Sequence, residues 1–192
     1  MMYGLQLNHW QSKMIKYDVT IFDKSEAGSL ARAEWRHNGQ LHRDNDEPAV
    51  IFDDGERGWY QQGKRHRDNG PAVISNTGSS AYYQFGKLHR IDGPAMINEF
   101  ANRTEWWVNG KLHREDGPAI IDSHGVCYYK HGELHRIDGP AYVVGTTQQY
   151  YIEGIQYTFD EWVDLVKTQY TVKEVSMGEL TKLLGYPVKI ID

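Results

Sequence analysis

Two patterns in this chain could carry chemistry. His42-Arg43-Asp44 and His66-Arg67-Asp68 match the opening letters of a phosphoryl-transfer catalytic loop, where the aspartate accepts a proton from the attacking hydroxyl. His131 and His135 are four apart, a spacing that sets two imidazoles on one ion if the backbone is helical. Neither survives its context. Phosphoryl transfer also needs a glycine-rich phosphate loop, a strand lysine paired with a helix glutamate and an Asp-Phe-Gly metal site, and the sequence has none. In later copies the acidic residue slides to Asp92, Asp116 and Asp138, which a catalytic base would not tolerate. Gly132 falls in a turn between His131 and His135 and removes the helical premise. Cys127, the single cysteine, precedes an aromatic pair and reads as a small buried residue. The sequence thus assigns no catalytic residue, no metal ligand and no cofactor, and the chain reads as a non-enzyme. An enzyme assembles one constellation of unlike residues. Here one constellation recurs five times.

The recurring histidines are His42, His66, His89, His113 and His135, separated by 24, 23, 24 and 22 residues. The clearest copy runs from Trp106 to Ile121: an aromatic pair, Asn109-Gly110, Lys-Leu-His-Arg, an acidic segment, Gly117-Pro118-Ala119 and two isoleucines. A fixed period of this size marks stacked supersecondary units that bury their apolar faces only on one another. Four residues before the turn glycines stand Trp35, Trp59, Tyr82, Trp106, Tyr128 and Tyr150; three before stand Arg36, Tyr60, Tyr83, Trp107, Tyr129 and Tyr151. Neighbours on a strand point to opposite faces, so the array carries two aromatic ladders. The ladder without exception is expected in the core. The second, which admits Arg36, is expected to be more exposed and to serve recognition, with Tyr60, Tyr83, Trp107, Tyr129 and Tyr151 as candidate contacts to a protein partner.

Asn38-Gly39 and Asn109-Gly110 suit type I′ turns, in which both central residues have φ > 0. The proline of each Gly-Pro-Ala breaks the ladder before the next strand. The Arg of each His-Arg pair is expected to bridge a turn carboxylate, and the His to satisfy a backbone carbonyl. Residues 14–22 alternate as a half-buried strand. Thr158 to Glu161 and Ser176 to Glu179 are capping boxes opening two short helices. The fold expected is mainly β: a tandem antiparallel β-hairpin repeat array of about 22–24 residues per repeat, with an N-terminal strand cap over 1–34, repeats over 35–157 (five full, one truncated) and a two-helix cap over 158–192.

With 21 Lys plus Arg against 26 Asp plus Glu and a net charge of −5, the composition opposes a general nucleic-acid or anionic-membrane binder. No apolar run approaches the ~20 residues of a membrane span. The lone cysteine and the absence of a basic-then-apolar leader point to a reduced, cytoplasmic setting. A second reading uses the stripe of Lys64, Lys87 and Lys111 with Arg67, Arg90, Arg114 and Arg136 to hold a nucleotide or nucleic acid beside an aromatic ladder.

Hairpins of this length with an aromatic pair, a glycine turn and Gly-Lys-Leu-His resemble MORN and MORN-variant repeats, although Arg43, Arg67, Arg90, Arg114 and Arg136 stand where a glycine usually follows the histidine. The fuller Asn-Gly-Lys-Leu-His-Arg, Asp-Gly-Pro-Ala pattern is similar to repeats in proteins of large bacteriophages and giant DNA viruses. The resemblance spans residues 35–154. It implies a β-hairpin platform for protein or lipid contact and a viral origin, hence a phage product in the host cytoplasm that binds a host factor, such as one of a defence system. The acidic balance and the lack of a basic amphipathic stretch argue against the lipid option.

Overall fold

A two-residue strand forms only if something outside its own hairpin completes the ladder. In the computed structural model, which describes residues 16–23 and 31–170, that something is the next repeat. Each unit sends short strands into one continuous antiparallel sheet and holds a hairpin tip beyond it. The sheet path starts at Asp18–Phe22 and Arg32–His37. It then takes Val50–Phe52, Arg57–Gly58, Val73–Ile74, Ser80–Ala81, Met96–Asn98, Arg103–Glu105, Ile120–Asp122, Gly125–Cys127, Tyr142–Val144 and Thr147–Ile152 in sequence order, and ends on Ile155–Tyr157. Its two ends do not meet, so the array is open. The mainly-β expectation holds, and the described residues between 35 and 157 contain no helix.

The tips are Tyr60–Gln61 with Lys64–Arg65, Tyr83–Gln84 with Lys87–Leu88, Trp107–Val108 with Lys111–Leu112, and Tyr129–Lys130 with Glu133–Leu134. Both central residues of their turns have positive φ, as the Asn-Gly copies require: 52° and 79° at Asn109 and Gly110. The same conformation is imposed on Gln62, Phe85, His131 and Glu153, at 49°, 47°, 54° and 50°. For such side chains it costs roughly 1–2 kcal/mol each, so outside contacts must hold it. Neighbouring tips supply part of that hold through two backbone bonds per junction. Gly110 N–H donates to Leu88 O at 2.8 Å, and Arg90 N–H donates to Trp107 O at 3.0 Å.

Cross-strand register sets the core. One row across the sheet runs Glu34, Val50, Gly58, Val73, Ala81, Met96, Glu105, Ile120, Cys127, Tyr142 and Gln149. Its members include the buried Val50, Ile120 and Cys127, together with two buried carboxylates, Glu34 and Glu105. The other centre is the alanine after each repeat proline: Ala49, Ala72, Ala95, Ala119 and Ala141 are all 0% exposed. Each alanine carbonyl accepts the N–H of its unit's first aromatic, as Ala119 does from Trp106 at 2.8 Å.

The second aromatic row does not sit where the sequence places it. Residues two apart on a strand share a face, so Trp107 returns to the side of Glu105 and its Nε1–H donates to Glu105 Oε2 at 2.7 Å. Tyr60 lies so close over Gly58 that a Cβ there would fall 2.8 Å from its ring, and Tyr151 Oη donates to Gln149. Both rows are half-buried, apart from Trp59, which is buried. In these three units the second-row ring lies against the core row, and the row as a whole is half-buried rather than exposed. Trp107→Phe should cost about 1–2 kcal/mol, because it leaves the buried Glu105 carboxylate short of one donor. A urea titration checks this, and a parent-like midpoint would show that the indole bond carries no stability.

At the C-terminal end the Thr158 capping box forms as expected: Thr158 Oγ1 accepts Glu161 N–H and Glu161 Oε2 accepts Thr158 N–H. The helix Phe159–Leu165 follows and widens into a π turn over Val166–Tyr170. Trp162 packs 4.9 Å from Tyr150, the last first-row aromatic, and its Nε1–H reaches Arg136 O. The second capping box, at 176–179, lies outside the described residues, as do residues 14 and 15 of the expected first strand.

Candidate binding grooves between repeats

Five of the six first-row rings carry a stacked arginine. The guanidinium of Arg43, Arg67, Arg90, Arg114 and Arg136 lies 4.0–4.1 Å over Trp35, Trp59, Tyr82, Trp106 and Tyr128 respectively. The same arginine donates to the carbonyl of the following proline, as Arg114 does to Pro118 at 3.2 Å. Its Nε–H goes to a carboxylate, Asp92, Asp116 or Asp138 in the last three full units. These bonds hold the three carboxyls below the usual carboxylate range. Arg67 instead reaches back to Asp46 of the preceding unit with two 2.8 Å bonds, because Asn69 occupies its own acidic position. Glycine before the proline packs against this clamp: a Cβ on Gly93, Gly117 or Gly139 would lie 3.0–3.2 Å from the guanidinium carbon, whereas the first unit carries Glu47 there, paired with Arg43.

Arg114→Lys keeps the charge but loses the planar stack and the second donor. It should lower stability by about 1–2 kcal/mol. Equal thermal melts for parent and variant would show that charge alone suffices at this position.

Through Nδ1 the repeat histidines bond across units. His113 Nδ1 accepts the N–H of His131 at 3.1 Å, and the other four do the same one repeat along. The expected bond to a backbone carbonyl is thus replaced by a bond from a backbone N–H. The opposite nitrogen faces an acid where one follows the arginine: Asp44 at 3.1 Å, Asp68 at 3.2 Å and Glu115 at 3.3 Å. His113, Glu115 and His131 bring three ligand atoms within 4.8 Å of one another. Since Nδ1 of His113 is already an acceptor, its proton sits on Nε2, the nitrogen an ion would need. The cluster is built as a joint.

Between successive arginine clamps run shallow grooves. One of about 770 Å³ is lined by Arg90, Ile91, Asp92, Trp106, Val108, His113 and Glu115 among others, and the next, of about 610 Å³, by Arg114, Asp116, Tyr128, Lys130, Arg136 and Ile137. Earlier junctions repeat the arrangement at about 400 and 210 Å³. Sequence reasoning missed the groove walls Ile91 and Ile137, which are 85% and 39% exposed. The signal was there, since the residue after the repeat arginine is an acid at Asp44, Asp68 and Glu115 but an isoleucine at positions 91 and 137.

The Lys/Arg stripe divides in two. Arg67, Arg90, Arg114 and Arg136 are committed to ring, carbonyl and carboxylate. Lys64, Lys87 and Lys111 are exposed on the tips, their stems 3.5–3.8 Å from where a Cβ would stand on Gly86, Gly110 and Gly132. Tyr60, Tyr83, Trp107, Tyr129 and Tyr151 lie half-buried and line none of the three grooves between Arg67 and Asp138; Tyr60 alone reaches the first groove. Cys127 is buried, and burial pushes its thiol up. Among the described residues no helix is long and apolar enough to cross a membrane. No protein-family model and no curated protein matches the chain.

Proposed function

We propose that this protein is a non-enzymatic binding module that holds an extended segment of another protein along its row of inter-repeat grooves. The supporting observation is the recurrence of one groove: an aromatic floor, a stacked arginine and an acidic or isoleucine wall at each junction. A linear ligand wants periodic contacts, whereas catalysis wants one site. Charge selects the ligand class. Each arginine is matched by its own carboxylate, so the grooves are amphipathic and close to neutral, which suits a polypeptide better than a phosphate polymer. The viral resemblance extends the proposal to a phage product acting in the host cytoplasm on a host factor.

The test is capture from host lysate followed by cross-link mapping, with the pair Ile91→Glu and Ile137→Glu as the comparison. Both side chains are exposed, so the fold should be unaffected. Cross-links should cluster on the 91–92, 115–116 and 137–138 loops, and capture should fall tenfold or more in the double variant. Cross-links confined to the lysine-bearing tips, or nucleic acid co-purifying with the protein, would favour the anionic-ligand reading and sink this one.

A further inference from the structure

Five residues in a row face the same chemical constraint. Gln62, Phe85, Asn109, His131 and Glu153 each donate a main-chain N–H to Nδ1 of the preceding unit's histidine, at 3.1–3.3 Å. A main-chain N–H can only donate, so each Nδ1 carries a lone pair and each ring holds its proton on Nε2. The donors are also the residues held at φ between 47° and 54°. The bond therefore pins the strained corner of the next turn.

We propose that the five histidines are acid-released latches between repeats: protonating an imidazole sets Nδ1–H against the N–H of the next turn and opens that joint. The inference is independent of what the grooves bind.

The groups facing each ring set the opposition. His42 meets Asp44 at Nε2, with the rings of Tyr17 and His37 alongside. His66 meets Asp68 and stacks on Phe85 at 4.2 Å. His113 meets Glu115, which also pairs with Lys130, and stacks on His131 at 4.5 Å. His89 shares its groove with Arg67, Asp68, Arg90 and Asp92. Around His135 stand Lys130, Glu153 and Glu115, and burial followed by the Lys130 charge pulls its pKa below the usual value. The carboxylates favour imidazolium, but they accept Nε2–H from the neutral ring equally well. The main-chain donor opposes them: with the joint closed, the N–H facing Nδ1 offers a second proton no lone pair.

The sign follows from linkage. His135 has a folded pKa below its unfolded value of about 6.5, so its contribution is complete above that value and is lost as pH falls through the folded pKa. Each histidine that charges only on opening multiplies the unfolding constant by about tenfold per pH unit in this window. The clamp carboxylates Asp92, Asp116 and Asp138, held low by their arginines, act only at more acid pH.

The experiment measures urea unfolding between pH 7.5 and 5 on the full chain and on the variant carrying His42→Asn, His66→Asn, His89→Asn, His113→Asn and His135→Asn. Asparagine Oδ1 stands where Nδ1 stood and does not titrate. The parent should lose stability steeply below pH 6.5, and the variant should lose little. If the fivefold variant does not fold, His135→Asn alone should remove one proton's worth of slope. Nitrogen NMR of the parent at pH 7.5 should show the Nε2–H tautomer at all five rings. A parent indifferent to pH between 7.5 and 5, variants as acid-sensitive as the parent, or an Nδ1–H tautomer would overturn the proposal.

Discussion

Replacing Trp59 with alanine should cost about 3–5 kcal/mol, more than the same change at any other first-row aromatic. Trp59 is 6% exposed, the most buried ring of its ladder. It underlies Arg67 at 4.0 Å, and its Nε1–H donates to Asp46 O at 3.0 Å. Asp46 in turn accepts both bonds from Arg67. Removing the indole thus opens a cavity, strips the stacked guanidinium of its platform and frees the loop that supplies its counter-ion. Trp59→Phe keeps the platform and loses only the Asp46 bond and part of the volume, so it should cost about 1–1.5 kcal/mol. Urea titrations of the two variants and of Tyr82→Ala, whose ring is half-buried, give the comparison. A Trp59→Ala loss below about 1 kcal/mol would show that the first row is not a structural column.

The second large effect is expected at a residue with no side chain. Gly125 opens the strand Gly125–Cys127, and a Cβ there would fall 1.9 Å from Val143 O and 2.9 Å from Val144 Cα. Both obstacles are backbone in the partner strand, which cannot step aside without breaking the pairing of Gly125–Cys127 with Tyr142–Val144. Gly125→Ala should therefore cost about 3 kcal/mol or more and loosen the joint leading to the last repeats. Gly117→Ala is the control: its Cβ would approach the Arg114 guanidinium at 3.2 Å, and a side chain can shift, so the loss should be about 1 kcal/mol. Hydrogen exchange of residues 142–152 separates the cases, fast in Gly125→Ala and near the parent rate in Gly117→Ala. Parent-like protection in both would refute the close approach at Gly125.

Periodicity was legible without a structure because it is a property of the chain: histidines at a fixed step, a glycine after each aromatic pair and a proline before each strand determine turns, strand breaks and an array. The capping box at Thr158 was legible for the same reason, since its two bonds join residues three apart. The apolar run after each proline likewise marks a buried strand, but not the rank of its alanine. Ala49, Ala72, Ala95, Ala119 and Ala141 look unremarkable in sequence, and only the stacking of repeats makes them the most buried positions.

Which aromatic row faces which neighbour was also beyond the sequence, because alternation says that two faces exist and not which one receives a roof. The contact of Trp107 with Glu105 and the arginine over Trp106 settle it. The roles of His and Arg divide likewise. Their charge suggested one stripe, but the histidine's partner lies 18 to 20 residues ahead, on the next tip, while the arginine, apart from the bonds of Arg67 to Asp46, folds back on its own loop. A repeat fixes the distance between such groups along the chain. Only the packing of one unit on the next decides which of them touch.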